Sequence, residues 1–136
     1  MGDRRLLMGV IMKTYQDLEI YQMAHRLAVE IHRMSFTELP RWEHPEEARQ
    51  VRRSAKSVAA NIVEGFGRRR YKAEFLRFLV YAHASCDETI EHLRLLRDTG
   101  SLAAERAEAL IQEYEVLSRK LYQFIEGVRR THRPAL

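Results

Sequence analysis

Apolar residues recur along this chain at gaps of four and three, the spacing of one face of an α-helix. Ile20, Ala24, Leu27, Ile31 and Met34 form the first such stripe and predict a helix over about residues 17–36. Thr14-x-x-Asp17 stands ahead of it as a capping box. Leu39-Pro40-Arg41-Trp42-Glu43-His44-Pro45 reads as a loop. A second helix then starts with Pro45 in its first turn, and Glu46 and Glu47 lie at the positive end of its dipole. Its stripe is Val51, Ala55, Val58, Ile62 and Phe66, and Gly65 and Gly67 are expected to stop it by turning left-handed. The third helix should run from about Tyr71 to Thr99 on Phe75, Leu79, Ala82, Cys86, Ile90, Leu93 and Leu96. Gly100 is its expected C-cap, and Ser101 the expected cap of a fourth helix reaching about Val128. There the stripe is Ala103, Ala107, Leu110, Tyr114, Leu117, Leu121, Phe124 and Val128.

Four such helices joined by short connections predict an all-α, antiparallel up-down-up-down bundle. The heptad spacing of the last helix favours left-handed packing at roughly 20°. The absence of proline from residues 46–133 agrees. The bundle should occupy residues 14–129, with a flexible N-terminal leader over 1–13 and a flexible tail over 130–136. Apolar residues also lie off the stripes: Tyr21, Met23 and Val29, then Val58-Ala59-Ala60-Asn61-Ile62-Val63, then Leu76, Phe78, Val80 and Tyr81. One bundle buries one face of each helix, so this surplus predicts a homo-oligomer.

Composition narrows the class. Hydrophobic residues make up 46% and charged residues 31% of 136 positions, the balance of a folded domain. The single cysteine, Cys86, excludes an internal disulfide and fits a reducing, cytoplasmic setting. No stretch approaches the length of a membrane span. Leu6–Met12 is too short for a signal peptide and lacks a cleavage site, so residues 1–13 read as a leader.

Charge is unevenly placed. Residues 47–77 hold nine Arg or Lys against three Glu. Arg52, Arg53 and Lys56 lie within the second helix, Arg68-Arg69-Arg70-x-Lys72 at the turn after it, and Arg77 on the third. Arg129 and Arg130 close the fourth. In an up-down bundle the ends of the second and fourth helices share one pole, so the two basic groups should meet there and offer a surface for phosphates. Nothing in the pattern points to base-specific readout.

Catalytic chemistry finds little footing, and a non-enzymatic protein is expected. Six histidines are scattered, and Glu88-x-x-x-His92 is not the Glu-x-x-His spacing of di-metal bundles. Cys86 and His83 are neighbours on one helix, but a thiol on the core stripe behaves as a small hydrophobe. Gly65-Phe66-Gly67 lacks both the preceding strand and the following Gly-Lys-Ser/Thr of a phosphate loop. No metal or cofactor is expected.

Three blocks carry a family likeness. They are Asp17-Leu18-Glu19-Ile20-Tyr21-x-x-Ala24-His25; Arg53-Ser54-Ala55-x-Ser57-Val58-x-x-Asn61-Ile62-x-Glu64-Gly65-x-Gly67-Arg68; and Glu74-Phe75-x-Arg77-Phe78-Leu79-x-x-Ala82-x-x-Ser85-x-x-Glu88. Over about residues 14–128 the chain resembles the four helix bundle protein family. That family includes proteins encoded in intervening sequences of bacterial 23S ribosomal RNA genes. The accessory variability determinant of diversity-generating retroelements is a relative. The resemblance implies a barrel-like homopentamer with a central channel. Through the retroelement relative it also implies nucleic acid and a reverse transcriptase as partners of a basic surface. The chain departs from the family pattern at Ala60, where proline is frequent, and at His83-Ala84, where Arg-Gly is frequent.

The polar residues of these blocks, Arg53, Asn61, Glu64, Ser85 and Glu88, are expected to turn inward and pair, fixing helix register. Two functions then compete. One is an oligomeric accessory protein that contacts RNA or DNA backbone through Arg52, Arg53, Lys56, Arg68, Arg69, Arg70, Lys72, Arg77, Arg129 and Arg130. The other is a protein-interaction scaffold whose arginines meet an acidic protein partner.

Overall fold

The structure, a computed structural model, describes residues 14–132. They form four helices: α1 (Glu19–Thr37), α2 (Glu47–Gly67), α3 (Lys72–Asp98) and α4 (Ala104–Thr131). Short 3-10 turns lie at Tyr15–Asp17 and Arg41–Glu43, and no strand occurs among the described residues. The expected leader, residues 1–13, and residues 133–136 of the expected tail lie outside the described residues.

Cross-helix contacts give the directions. Glu19 pairs with Lys120, Arg26 with Glu113 and Glu38 with Arg106, so α1 and α4 run oppositely. Glu47 meets His92 near the start of α2, and Ser57 meets Ser85 further along, so α2 and α3 run oppositely. Lys72 reaches Arg129 and His83 reaches Ser118, which reverses α4 against α3. The result is the up-down-up-down bundle that the pattern predicts.

The stripes are the core. Ala24, Leu27, Ile31, Val51, Ala55, Val58, Ile62, Leu79, Ala82, Cys86, Leu93, Leu96, Leu110, Leu117 and Leu121 are all sealed from solvent. Each large aliphatic side chain buried this way contributes about 1.5–3 kcal/mol. Two seats differ from the pattern. On α3 the buried residue is Thr89, and Ile90 is half-buried beside it. The Thr89 hydroxyl donates to Ser54 Oγ at 2.9 Å and lies 2.8 Å from Ser85 O, so the polar atom is satisfied where it is buried. On α4, Ile125 is buried and Phe124 half-buried, because a straight helix drifts past a strict seven-residue repeat. Ala103 lies exposed, ahead of α4.

The ends of the helices correct several expectations. The Thr14–Asp17 capping box is present, but it closes the 3-10 turn; α1 starts at Glu19 with no side-chain cap. Pro45 precedes α2, whose N-cap is Glu46. Neither Gly65 nor Gly67 is left-handed; only Gly100, at φ +78°, is so among the described residues. Gly65 sits inside α2 and buried, where a Cβ would stand 3.2 Å from Phe78 Cβ and 3.3 Å from Phe75 O. Its smallness lets α2 and α3 approach. Ser101, in the α3–α4 connection, does not cap α4 but donates to the buried Glu43 carboxylate of the α1–α2 connection. With Ala60 in place, α2 is continuous to Gly67. α4 continues to Thr131, into the segment expected as tail.

Cys86 lies fully buried, its thiol 3.3 Å from Tyr114 O, and burial pushes its pKa up to about 12. At pH 8 about one thiol in ten thousand is then ionised. Alkylation of the native protein is expected to be at least about a hundredfold slower than of the protein in denaturant. Equal rates, read by mass spectrometry over time, would place Cys86 outside the core.

Candidate nucleic-acid interface

The two basic groups do meet at one end of the bundle. Lys72 Nζ, opening α3, donates to Arg129 O near the end of α4 at 2.6 Å. His132 Nε2 donates to Arg69 O in the α2–α3 turn at 2.8 Å. Beneath them the Phe75 ring meets Phe66, Phe124 and His132 edge-on, at 6.4, 6.1 and 5.1 Å between centroids. This aromatic cluster closes the end of the core and fixes where both basic segments emerge. His132 is the pole residue that the charge pattern missed, because a histidine in a tail gives no periodic signal.

Each basic side chain has its own situation. Arg68 donates to Glu64 at 2.8 Å and to Glu74 at 3.3 Å, and lies over the Phe78 ring. Arg77 reaches Glu74 at 3.2 Å and Tyr81 Oη at 2.9 Å. These two cations are therefore largely neutralised along the outer α2–α3 face. Arg69 folds back over the Phe66 ring, 3.9 Å from its centroid, and donates to Phe66 O at the carboxyl end of α2. That position also complements the helix dipole. Arg129 pairs with Glu126 at 3.3 Å. Arg70 and Arg130 are exposed and have no partner among the described residues. They are the arginines of this pole that no described carboxylate or carbonyl engages.

The basic residues of α2 do not join this pole. Arg52 turns to α1, donating to Ser35 Oγ at 2.8 Å with its guanidinium over Phe36. Arg53 turns to α3 and pairs with Glu88. Lys56 is exposed midway along the α1–α2 seam.

The expected inward polar network divides in three. Asn61 donates to Ser57 O and Oγ, and Ser57 Oγ meets Ser85 Oγ at 3.0 Å, a half-buried thread between α2 and α3. Arg53 and Glu88 lie at the edge of that seam, where Glu88 also meets His92 Nε2 at 3.2 Å. The other ring nitrogen, Nδ1, faces Glu47 at 2.6 Å, so His92 bridges two carboxylates. Glu64 does not turn inward; it is exposed, held by Arg68. Its i,i+4 spacing to Arg68 was the signal for a surface pair. No group of three or more His, Cys, Asp or Glu is placed to hold a metal ion among the described residues, and none of their helices is long and apolar enough to cross a membrane.

A crystal structure from Bacteroides thetaiotaomicron, described as a protein with unknown function from the S23 ribosomal protein family, shares this fold. The TM-score is 0.72 at 23% identity, over 79% of this chain and 95% of that one. The chain matches no curated protein. The model of the 23S rRNA-intervening sequence protein family matches residues 16–123, and the chain belongs to that family.

Proposed function

We propose that this protein is a non-enzymatic, oligomeric accessory protein that holds RNA or DNA backbone on its basic pole. The observation that carries this reading is the joining of the α2–α3 turn to the end of α4, through Lys72 to Arg129 and His132 to Arg69. It brings two sequence-distant basic segments onto one surface, with Arg70 and Arg130 unpartnered among the described residues. Phosphate contacts need cations and no particular base edge, which suits such a surface. Oligomerisation is supported by Val80 and Tyr81, which remain 48% and 43% exposed beside the half-buried Phe78 on α3. A homopentamer, as the resemblance implies, would set several basic poles on one particle and multiply weak backbone contacts.

Fluorescence anisotropy with labelled RNA and duplex DNA, across a salt series, tests the reading. Binding is expected to weaken with a log–log slope of about 0.9 per phosphate neutralised on duplex. Replacing Arg70 and Arg130 together by Ala should reduce the slope by about 2 and weaken binding at least about tenfold. Arg68→Ala should cost less, because Glu64 and Glu74 already occupy that guanidinium. No binding at low salt would reject the reading in favour of an acidic protein partner. Light scattering on the same samples gives the mass of the oligomer, and a monomer would reject the assembly.

A further inference from the structure

The α1–α2 seam holds an open cavity of about 470 Å³, away from the basic pole. His25, His32 and Arg33 line it from α1, Lys56 lines it from α2, and Ala28 and Ala59 contribute to its floor. No carboxylate lines it among the described residues. That is unusual for this molecule. The α1–α4 seam is crossed by Arg26–Glu113, Arg106–Glu30 and Lys120–Glu19, and the α2–α3 seam by Arg53–Glu88. Across the α1–α2 seam no cation meets a carboxylate among the described residues, and Arg33 and Lys56 have no partner among them. Two positive charges therefore line this floor with neither ion-paired to a described carboxylate, the Glu30 and Glu38 carboxylates lining the adjoining groove that Arg33 also borders, and an anion would supply the missing partner.

The two histidines add shape. They stand seven residues apart, two turns or about 10 Å along one face of α1. Each is set by an aromatic neighbour outside the cavity. Tyr21 Oη meets His25 Nδ1 at 3.3 Å, which leaves Nε2 of that ring available to a ligand. The His32 ring packs against Phe36 at 5.0 Å. Ala28, Val29 and Ala59 give the groove an apolar lining, and its volume lies in the range of small-ligand sites.

We propose that this groove binds a small phosphate monoester carrying a flat ring, the chemistry of a nucleoside monophosphate. Arg33 and Lys56 hold the phosphate, and the ring lies on the alanine floor between His25 and His32. The site is separate from the basic pole, so either reading can fail alone.

Histidine Cε1–Hε1 signals in NMR titrations test it, with adenosine monophosphate, adenosine and inorganic phosphate as probes. Adenosine monophosphate should shift His25 and His32 with half-saturation at about 0.1–1 mM, at least about tenfold tighter than either fragment. Arg33→Ala and Lys56→Ala should each weaken it about tenfold or more while thermal melting stays unchanged, since both side chains are exposed and unpaired among the described residues. The Arg70/Arg130 double alanine variant should bind it normally. Silence of both histidines at about 10 mM ligand overturns the proposal. So does equal binding of phosphate alone, or indifference to both charge variants. Binding of a labelled oligonucleotide here, with none of the monophosphate, also overturns it and makes the groove an extension of the nucleic-acid surface.

Discussion

Phe75→Ala is expected to remove about 3–5 kcal/mol of stability, the cost of deleting a fully buried aromatic ring. Phe75 is 1% exposed, and its ring is the one that Phe66, Phe124 and His132 all meet. Edge-to-face aromatic pairs add about 0.5–1.5 kcal/mol each beyond burial. Against a total stability of about 5–15 kcal/mol, the loss is a large fraction. The melting temperature should fall by roughly 10–20 °C. The effect should also be felt at the pole, because His132 packs on this ring while holding Arg69 O. Amide exchange of the last turn of α4 is therefore expected to quicken more than that of the opposite end of α3. Circular dichroism melts and hydrogen exchange check both parts. A loss below about 1 kcal/mol, or a uniform change in exchange, would show that the aromatic cluster does not anchor the α4 end to the α2–α3 turn.

The core was legible because it depends on position alone. A stripe such as Leu27, Ile31, Met34 needs no partner to be recognised; the spacing of one helix declares its buried face. Thr89 was missed because its burial depends on Ser54, thirty-five residues away, and a hydroxyl is admitted to a core only where such a partner waits. A clue was present nonetheless: Ser54, Ser57 and Asn61 on α2, and Ser85 and Thr89 on α3, each recur at helical spacing as a polar stripe. The shared basic pole was also legible, since it follows from chain direction and the positions of the arginines. Which arginines remain open was not. Net charge counts Arg68 and Arg70 alike, yet one is held between Glu64 and Glu74 and the other has no partner among the described residues. The groove on α1 and α2 could not be read from composition at all. It depends on how side chains pair across the bundle, as Glu30 of α1 pairs with Arg106 of α4 and not with a cation of α2.

Gly65 and Gly67, two residues apart on α2, are expected to respond to alanine with opposite signs. At Gly67 an added Cβ meets nothing described within 4 Å beyond its own chain neighbours and helix backbone, φ is not positive, and the residue is exposed. Gly67→Ala should then gain about 0.5 kcal/mol, by restricting the unfolded chain at the last turn of the helix. At Gly65 the same helical preference works against contact. The added Cβ would stand 3.2 Å from Phe78 Cβ and 3.3 Å from Phe75 O, and a backbone oxygen within α3 yields only if the helix moves. Gly65→Ala is expected to lose about 1 kcal/mol net and Gly65→Val about 3 kcal/mol. Urea titrations should show the midpoint falling at constant slope. The same separation of helices would strain the Ser57–Ser85 thread and the Arg68–Glu74 pair, both of which need α2 and α3 close. A shifted Arg68 would lose its Glu74 contact and gain exposure. Gly65→Ala should therefore bind nucleic acid no more weakly than the parent, despite its lower stability. A stabilising Gly65→Ala would mean that the two helices have room to spare, and that Gly65 serves the backbone of α2 and not its approach to α3.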